Sequence, residues 1–199
     1  MITHIYFIIL AYFLLGALGF VMINRTKEDK IKKQNWLKFV TYFIIIHILF
    51  FSIIAEGPWF RMLSLLIILA GYFELWKVFR QSQHTGSAVF SRAMVLYLVL
   101  SVGFFAFAYL DKGLMLFTFL ILSVFDAFSQ ISGQLTGRIR LFPRISPNKT
   151  LEGLLGGIIC AFIASLLLRG LFPYGMWIRH MLTAGILLTA FLGDMFSSW

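Results

Sequence analysis

Runs of roughly 20 apolar residues follow one another along this chain, at 2–23, 36–55, 59–79, 91–110, 113–129, 151–171 and 177–196, with short polar connections between them. A helix rising about 1.5 Å per residue needs roughly that many apolar residues to cross the ~30 Å hydrocarbon layer of a bilayer. In lipid every backbone amide must be satisfied within its own segment, so each run reads as a helix. The expectation is an all-α integral membrane protein, a bundle of about seven transmembrane helices. Composition supports it: 60% of the residues are hydrophobic and 13% charged, with 23 Phe, whereas a soluble domain is nearer half apolar and a quarter charged. The first run is too long for a signal-peptide core and lacks a basic leader and a small-residue cleavage site, so it reads as a retained span. No internal repeat or Pro/Ser-rich linker divides the chain, which implies a single transmembrane domain over 1–199.

The net charge of +9 is explained by topology rather than by nucleic acid, because the basic residues sit between the apolar runs. Thirteen of the 17 Lys and Arg fall in one alternating set of connections: Arg25, Lys27, Lys30, Lys32, Lys33 and Lys38, then Lys77, Arg80 and Arg92, then Arg138, Arg140, Arg144 and Lys149. Arg61, Lys112, Arg169 and Arg179 make up the other set. The positive-inside rule then puts the N-terminus outside and the C-terminus in the cytoplasm. The single cysteine, Cys160, lies in an apolar run and reads as a packing residue, and no Cys/His spacing suggests zinc.

Ionisable groups at membrane depth are costly, which makes each a functional candidate. Glu74, Asp126, Glu152 and Asp194 qualify, and all fall toward the same ends of their spans. On a helix Asp126, Ser129, Gln130, Gly133 and Gly137 share one polar, small face, suited to a nucleotide or metal or, without Asp126, to close helix packing. Arg138, Arg140, Arg144 and Lys149 follow, with Ser146-Pro147 as an expected N-cap and first-turn pair for the next helix. A helix start flanked by Lys149 and Thr150 suits phosphate; a loop that only meets lipid headgroups is the alternative. Glu152 could bind a metal, orient Lys149 or favour the helix dipole. Asp194, after Gly193, could hold Mg²⁺ on a triphosphate or act as an interfacial residue.

The block Ser146-Pro-Asn-Lys-Thr-Leu-Glu-Gly-Leu-Leu-Gly-Gly157, preceded by Asp126 and the Gly133/Gly137 pair and followed by Gly193-Asp194 and Ser198, resembles the phosphatidate cytidylyltransferase (CDP-diglyceride synthetase) family. The likeness is carried by residues 111–199, while 1–110 read as generic spans with Glu74 in a plausible place. Gln130 and Gln134 depart from the family, which often has Tyr and a basic residue near those positions. The family pattern also continues beyond Gly-Asp with a Lys-Arg pair and a second metal-binding Asp, whereas this sequence stops at Trp199. On the resemblance the chain is expected to be truncated and weakly active or inactive as given.

What the resemblance implies is an enzyme joining CTP to phosphatidate, giving CDP-diacylglycerol and pyrophosphate, in the plasma or inner membrane with its site facing the cytoplasm. It implies Mg²⁺ as cofactor, with Asp194 as metal ligand and Asp126 as metal or nucleotide ligand. Lys149 and Arg138 would hold phosphates, and Ser146, Asn148 and Thr150 would shape the site, with Glu152, Gly133, Gly137 and Ser198 in support. Partners would be CTP, phosphatidate and membrane lipid, together with a homodimer mate through the glycine-rich faces. The competing readings are a non-catalytic homologue or fragment that binds lipid or a partner, and a polyprenol or phytol kinase-like enzyme.

Overall fold

The computed structural model describes residues 2–25, 27–55, 57–81, 87–143 and 146–197; the side chains of Ser87, Pro147, Asn148 and Ser197 are not described. Among these residues lie seven helices: α1 (Ile2–Asn24), α2 (Asp29–Ile54), α3 (Trp59–Gln81), α4 (Ser87–Phe107), α5 (Lys112–Thr136), α6 (Leu151–Leu167) and α7 (Met176–Ser197). Six are long and apolar enough to cross a membrane, and the protein is a multi-pass, all-α membrane protein. The exception is α6: an expected span of 151–171 ends at Leu167, leaving 17 residues. At 1.5 Å per residue that is about 25 Å, short of the hydrocarbon thickness. Conversely α5 runs to Thr136, beyond the expected end at 129, and in its added turns Ser132 and Gly133 pack against Gly156 and Gly153 of α6.

The breaks between helices have local causes. Gly57 takes a left-handed φ of 111° ahead of Pro58, whose carbonyl accepts the first helical bond of α3 from Met62. Asp111 caps α5, its carboxylate accepting from the Gly113 and Leu114 amides at 2.8 and 3.4 Å.

Between α5 and α6 the chain forms a small antiparallel hairpin of β1 (Arg140–Phe142) and β2 (Ser146–Thr150), pairing Arg140 with Thr150 and Phe142 with Ser146. Ser146-Pro147 therefore does not start the helix, and the expected cap is corrected. Proline tolerates an extended position in a two-stranded ribbon. The cap is Thr150, whose Oγ1 accepts from the Gly153 amide at 3.2 Å.

The chain divides into two compact units, 1–46 with 116–199, and 47–115. In the second unit α3 meets α4, where Tyr97 Oη donates to the Ile68 carbonyl at 2.5 Å and Phe79 stacks on Phe90. The outer faces of these two helices carry exposed Leu, Val and Phe, as lipid contact requires. Glu74 belongs to this unit, exposed on α3.

The first unit holds the better-buried core. Phe117 and Ile121 of α5, Ala161, Ala164 and Ser165 of α6, and Thr183 of α7 are fully or almost fully buried, and Thr183 Oγ1 donates to Ser165 Oγ at 3.0 Å. On the other flank of α5, Phe20, Ile23 and Ile131 pack with Phe39. Tyr12 of α1 reaches across to α6, donating to the Cys160 carbonyl at 3.2 Å.

Candidate functional site

The site is built where α5 and α6 come closest. A Cβ added to Gly153 would lie 2.7 Å from the Ser129 carbonyl oxygen and 3.1 Å from Gly133 Cα, and one on Gly157 would overlap Ser129 Oγ. Such contacts require glycine, and they bring the two backbones together as small-residue helix interfaces do in membranes. Gly133 and Gly137 also face Thr150, so the glycines expected on this face serve packing. That packing brings Asp126, on α5, close to Lys149, at the end of β2.

A cavity of about 250 Å³ opens there, lined by polar groups from Asp126, Ser129, Gln130, Ser146, Lys149 and Asp194 among others. Lys149 Nζ forms an ion pair with Asp194 Oδ2 and lies 5.7 Å from the centre of the Phe191 ring. Tyr42 of α2 donates from Oη to Asp126 Oδ2 at 3.5 Å. Among the described residues that line it, Asp126 and Asp194 are the acidic groups and Lys149 the basic one.

A second cavity of about 470 Å³ adjoins the first and is almost entirely apolar, walled by residues such as Ile9, Phe13 and Phe20 of α1, Phe39 of α2 and Leu120 of α5. Tyr42, Phe125, Asp126, Gln130 and Asp194 line both. The N-terminal helix and the middle of α2, generic by sequence, thus form walls of the site. Tyr42 was missed for the same reason, its one signal being a phenol inside an apolar run.

The structure brings Asp126, Lys149, Asp194, Ser146 and Thr150 to one cavity. The Thr150 hydroxyl is already engaged in the α6 cap. Glu152 is held elsewhere: both its carboxylate oxygens accept from the Ile139 amide, at 3.3 Å each, bracing the hairpin against α6. Arg138 is exposed on the connection before β1, and the Asn148 side chain and Ser198 lie outside the described residues.

Among the described residues no three His, Cys, Asp or Glu side chains cluster as a metal set. The donors present still suit Mg²⁺. It is a hard ion that one or two carboxylates hold together with substrate phosphates and water, and Asp126 and Asp194 put two carboxylates on one cavity lining.

Fold and site together define a membrane protein with a charged, polar pocket beside an apolar one. The cytidylyltransferase family model matches residues 1–199, and the chain belongs to that family of nucleotidyl-transferring enzymes. Over 176 residues it is 30% identical to a phosphatidate cytidylyltransferase of Staphylococcus aureus (strain COL), covering 83% of this chain and 67% of the relative. The proteins of the same name from Staphylococcus saprophyticus and Staphylococcus epidermidis are 32% and 33% identical over 177 residues, at the same coverage of both chains. No solved structure matches the chain.

Proposed function

We propose that the chain is a CTP:phosphatidate cytidylyltransferase, forming CDP-diacylglycerol and pyrophosphate for phospholipid synthesis. The observation that carries this reading is the junction of a polar and an apolar cavity at Asp126 and Asp194. A substrate with a phosphate head and acyl tails requires such a pair of compartments, and the curated relatives bear the name of that activity.

In the reaction a phosphatidate oxygen attacks the α-phosphorus of CTP; the new P–O bond forms as the bond to the β-phosphate bridging oxygen breaks, and pyrophosphate leaves. The nucleophile is already ionised, so positioning and charge stabilisation do most of the work. Lys149 offers its ammonium to the phosphates beside the N-terminus of α6, where the helix dipole favours anions. Asp194 and Asp126 would hold a divalent ion, Mg²⁺, whose charge would offset that of the triphosphate. Ser146 adds its hydroxyl to the phosphate-binding lining, and Arg138 is proposed to supply a second cation. The apolar cavity shelters the acyl part from water.

The purified full chain in nanodiscs, given phosphatidate and CTP labelled on either the α- or the γ-phosphorus, distinguishes the readings. Label from the α position should enter the lipid. Label from the γ position would identify a lipid kinase instead, and no transfer would favour a non-catalytic lipid-binding protein.

The site is proposed to face the cytoplasm from the plasma or inner membrane, with α6 counted as a pass and the basic connections inside. Single cysteines at Lys30 and Arg140 are expected to resist an impermeant thiol reagent in intact cells and to react after permeabilisation; labelling of both from outside would reverse the orientation. The glycine faces of α5 and α6 are filled by each other, so a homodimer would use another surface.

A further inference from the structure

Tyr42 stands where the two cavities meet. It lines both, and its hydroxyl donates to Asp126 Oδ2 at 3.5 Å across 84 residues of sequence. The neighbouring hydroxyl on α2 is not available for this, because Thr41 Oγ1 donates to the Leu37 carbonyl at 2.8 Å. A phenol suits the place: its ring belongs with the apolar wall and its one donor with the polar compartment. A carboxylate on a membrane helix has few fixed partners to hold its rotamer, and groups that hydrogen-bond a ligating carboxylate set its orientation. The contact is long, as such bonds often are before substrate arrives and tightens the site.

We propose that Tyr42 is a positioning residue for nucleotidyl transfer, holding the Asp126 carboxylate toward the polar cavity in the orientation that receives the metal-bound nucleotide. This rests on the function proposed above, with Asp126 as a ligand. Tyr42 touches the reaction only through Asp126, and its contribution should vanish when that carboxylate is gone.

The test uses Mn²⁺ with CTP as the probe, followed by electron paramagnetic resonance on the full chain in nanodiscs, alongside CDP-diacylglycerol formation. Tyr42→Phe keeps the ring and should keep the wild-type thermal midpoint. It should weaken Mn²⁺ binding in the presence of CTP by about tenfold. The metal concentration for half-maximal rate should rise in parallel, while the KM for phosphatidate stays near wild type. Asp126→Asn should weaken Mn²⁺ binding more, and Tyr42→Phe added to it should change nothing further. Unchanged Mn²⁺ binding in Tyr42→Phe, or an equal loss in the wild-type and Asp126→Asn backgrounds, would overturn the proposal. A shift confined to the phosphatidate KM would overturn it too, making Tyr42 a lipid contact instead. If the wild-type chain shows the coupled Mn²⁺ pattern yet forms no CDP-diacylglycerol, the proposed function fails while the role of Tyr42 toward Asp126 stands.

Discussion

Asp194→Asn is expected to lower CDP-diacylglycerol formation by about 10²- to 10³-fold, the usual cost of deleting one group that stabilises charge in the transition state. The side chain keeps its shape and loses only its charge, so two carboxylates facing Lys149 become one. Stability should change little. The Asp194 side chain is 55% exposed and that of Lys149 20%, so their pair is partly screened by solvent and contributes at most about 1 kcal/mol. Glu152→Gln provides the contrast. Its carboxylate accepts from the Ile139 amide at the hairpin rather than facing the cavity, and an amide oxygen can accept the same bond. The rate should therefore fall only a fewfold. Both variants are assayed with α-labelled CTP, with thermal unfolding in detergent as the control. A wild-type rate for Asp194→Asn would remove Asp194 from the chemistry. A rate loss that tracks a lowered midpoint would make its role structural.

The helices were legible because lipid imposes a length and a composition on whatever crosses it, and the apolar runs meet both. Their ends were less so. Hydropathy stops α5 at 129, yet the helix continues through Ser132 and Gly133, which meet α6 and Thr150 of β2, to Thr136, whose exposed hydroxyl donates to the Ser132 carbonyl. The hairpin was not legible, because Ser146-Pro147 is a good helix start in isolation. What pulls it into a strand is pairing with Arg140–Phe142, a tertiary event with no periodic signature in three- and five-residue strands. In the site, Asp126 and Asp194 stood out because charge in an apolar context is rare, and Lys149 because it closes a basic connection at an expected helix start. Tyr42 and the apolar wall from α1 did not, since they come from regions whose sequence says only that they lie in a membrane. Their place depends on α1 and α2 packing against α5, a contact between segments about a hundred residues apart that hydrophobic spacing does not encode.

The glycines of α6 should separate into two kinds when each is replaced by alanine. At Gly153 the added methyl meets main chain, the Ser129 carbonyl oxygen at 2.7 Å and Gly133 Cα at 3.1 Å, and no rotamer change relieves it. The helices must move apart, which costs about 1–3 kcal/mol for an overpacked interface. The gain of about 0.5–1 kcal/mol from alanine's better helix propensity offsets only part of this. At Gly156 the obstacle is the Ser132 side chain, with Phe128 O at 3.9 Å the nearest backbone atom. Gly156→Ala alone should therefore destabilise, and Ser132→Gly added to it should recover at least about 1 kcal/mol as a coupling energy. The same Ser132→Gly change should not rescue Gly153→Ala. Activity should follow the geometry, because the α5–α6 approach sets Asp126 relative to Lys149. Gly153→Ala is thus expected to lose turnover even at temperatures where it remains folded. Thermal midpoints in detergent and rates at a fixed low temperature check both statements. Neutral midpoints for both alanine variants would show that the helices have slack here, and equal rescue by Ser132→Gly would show that backbone contact does not set their separation.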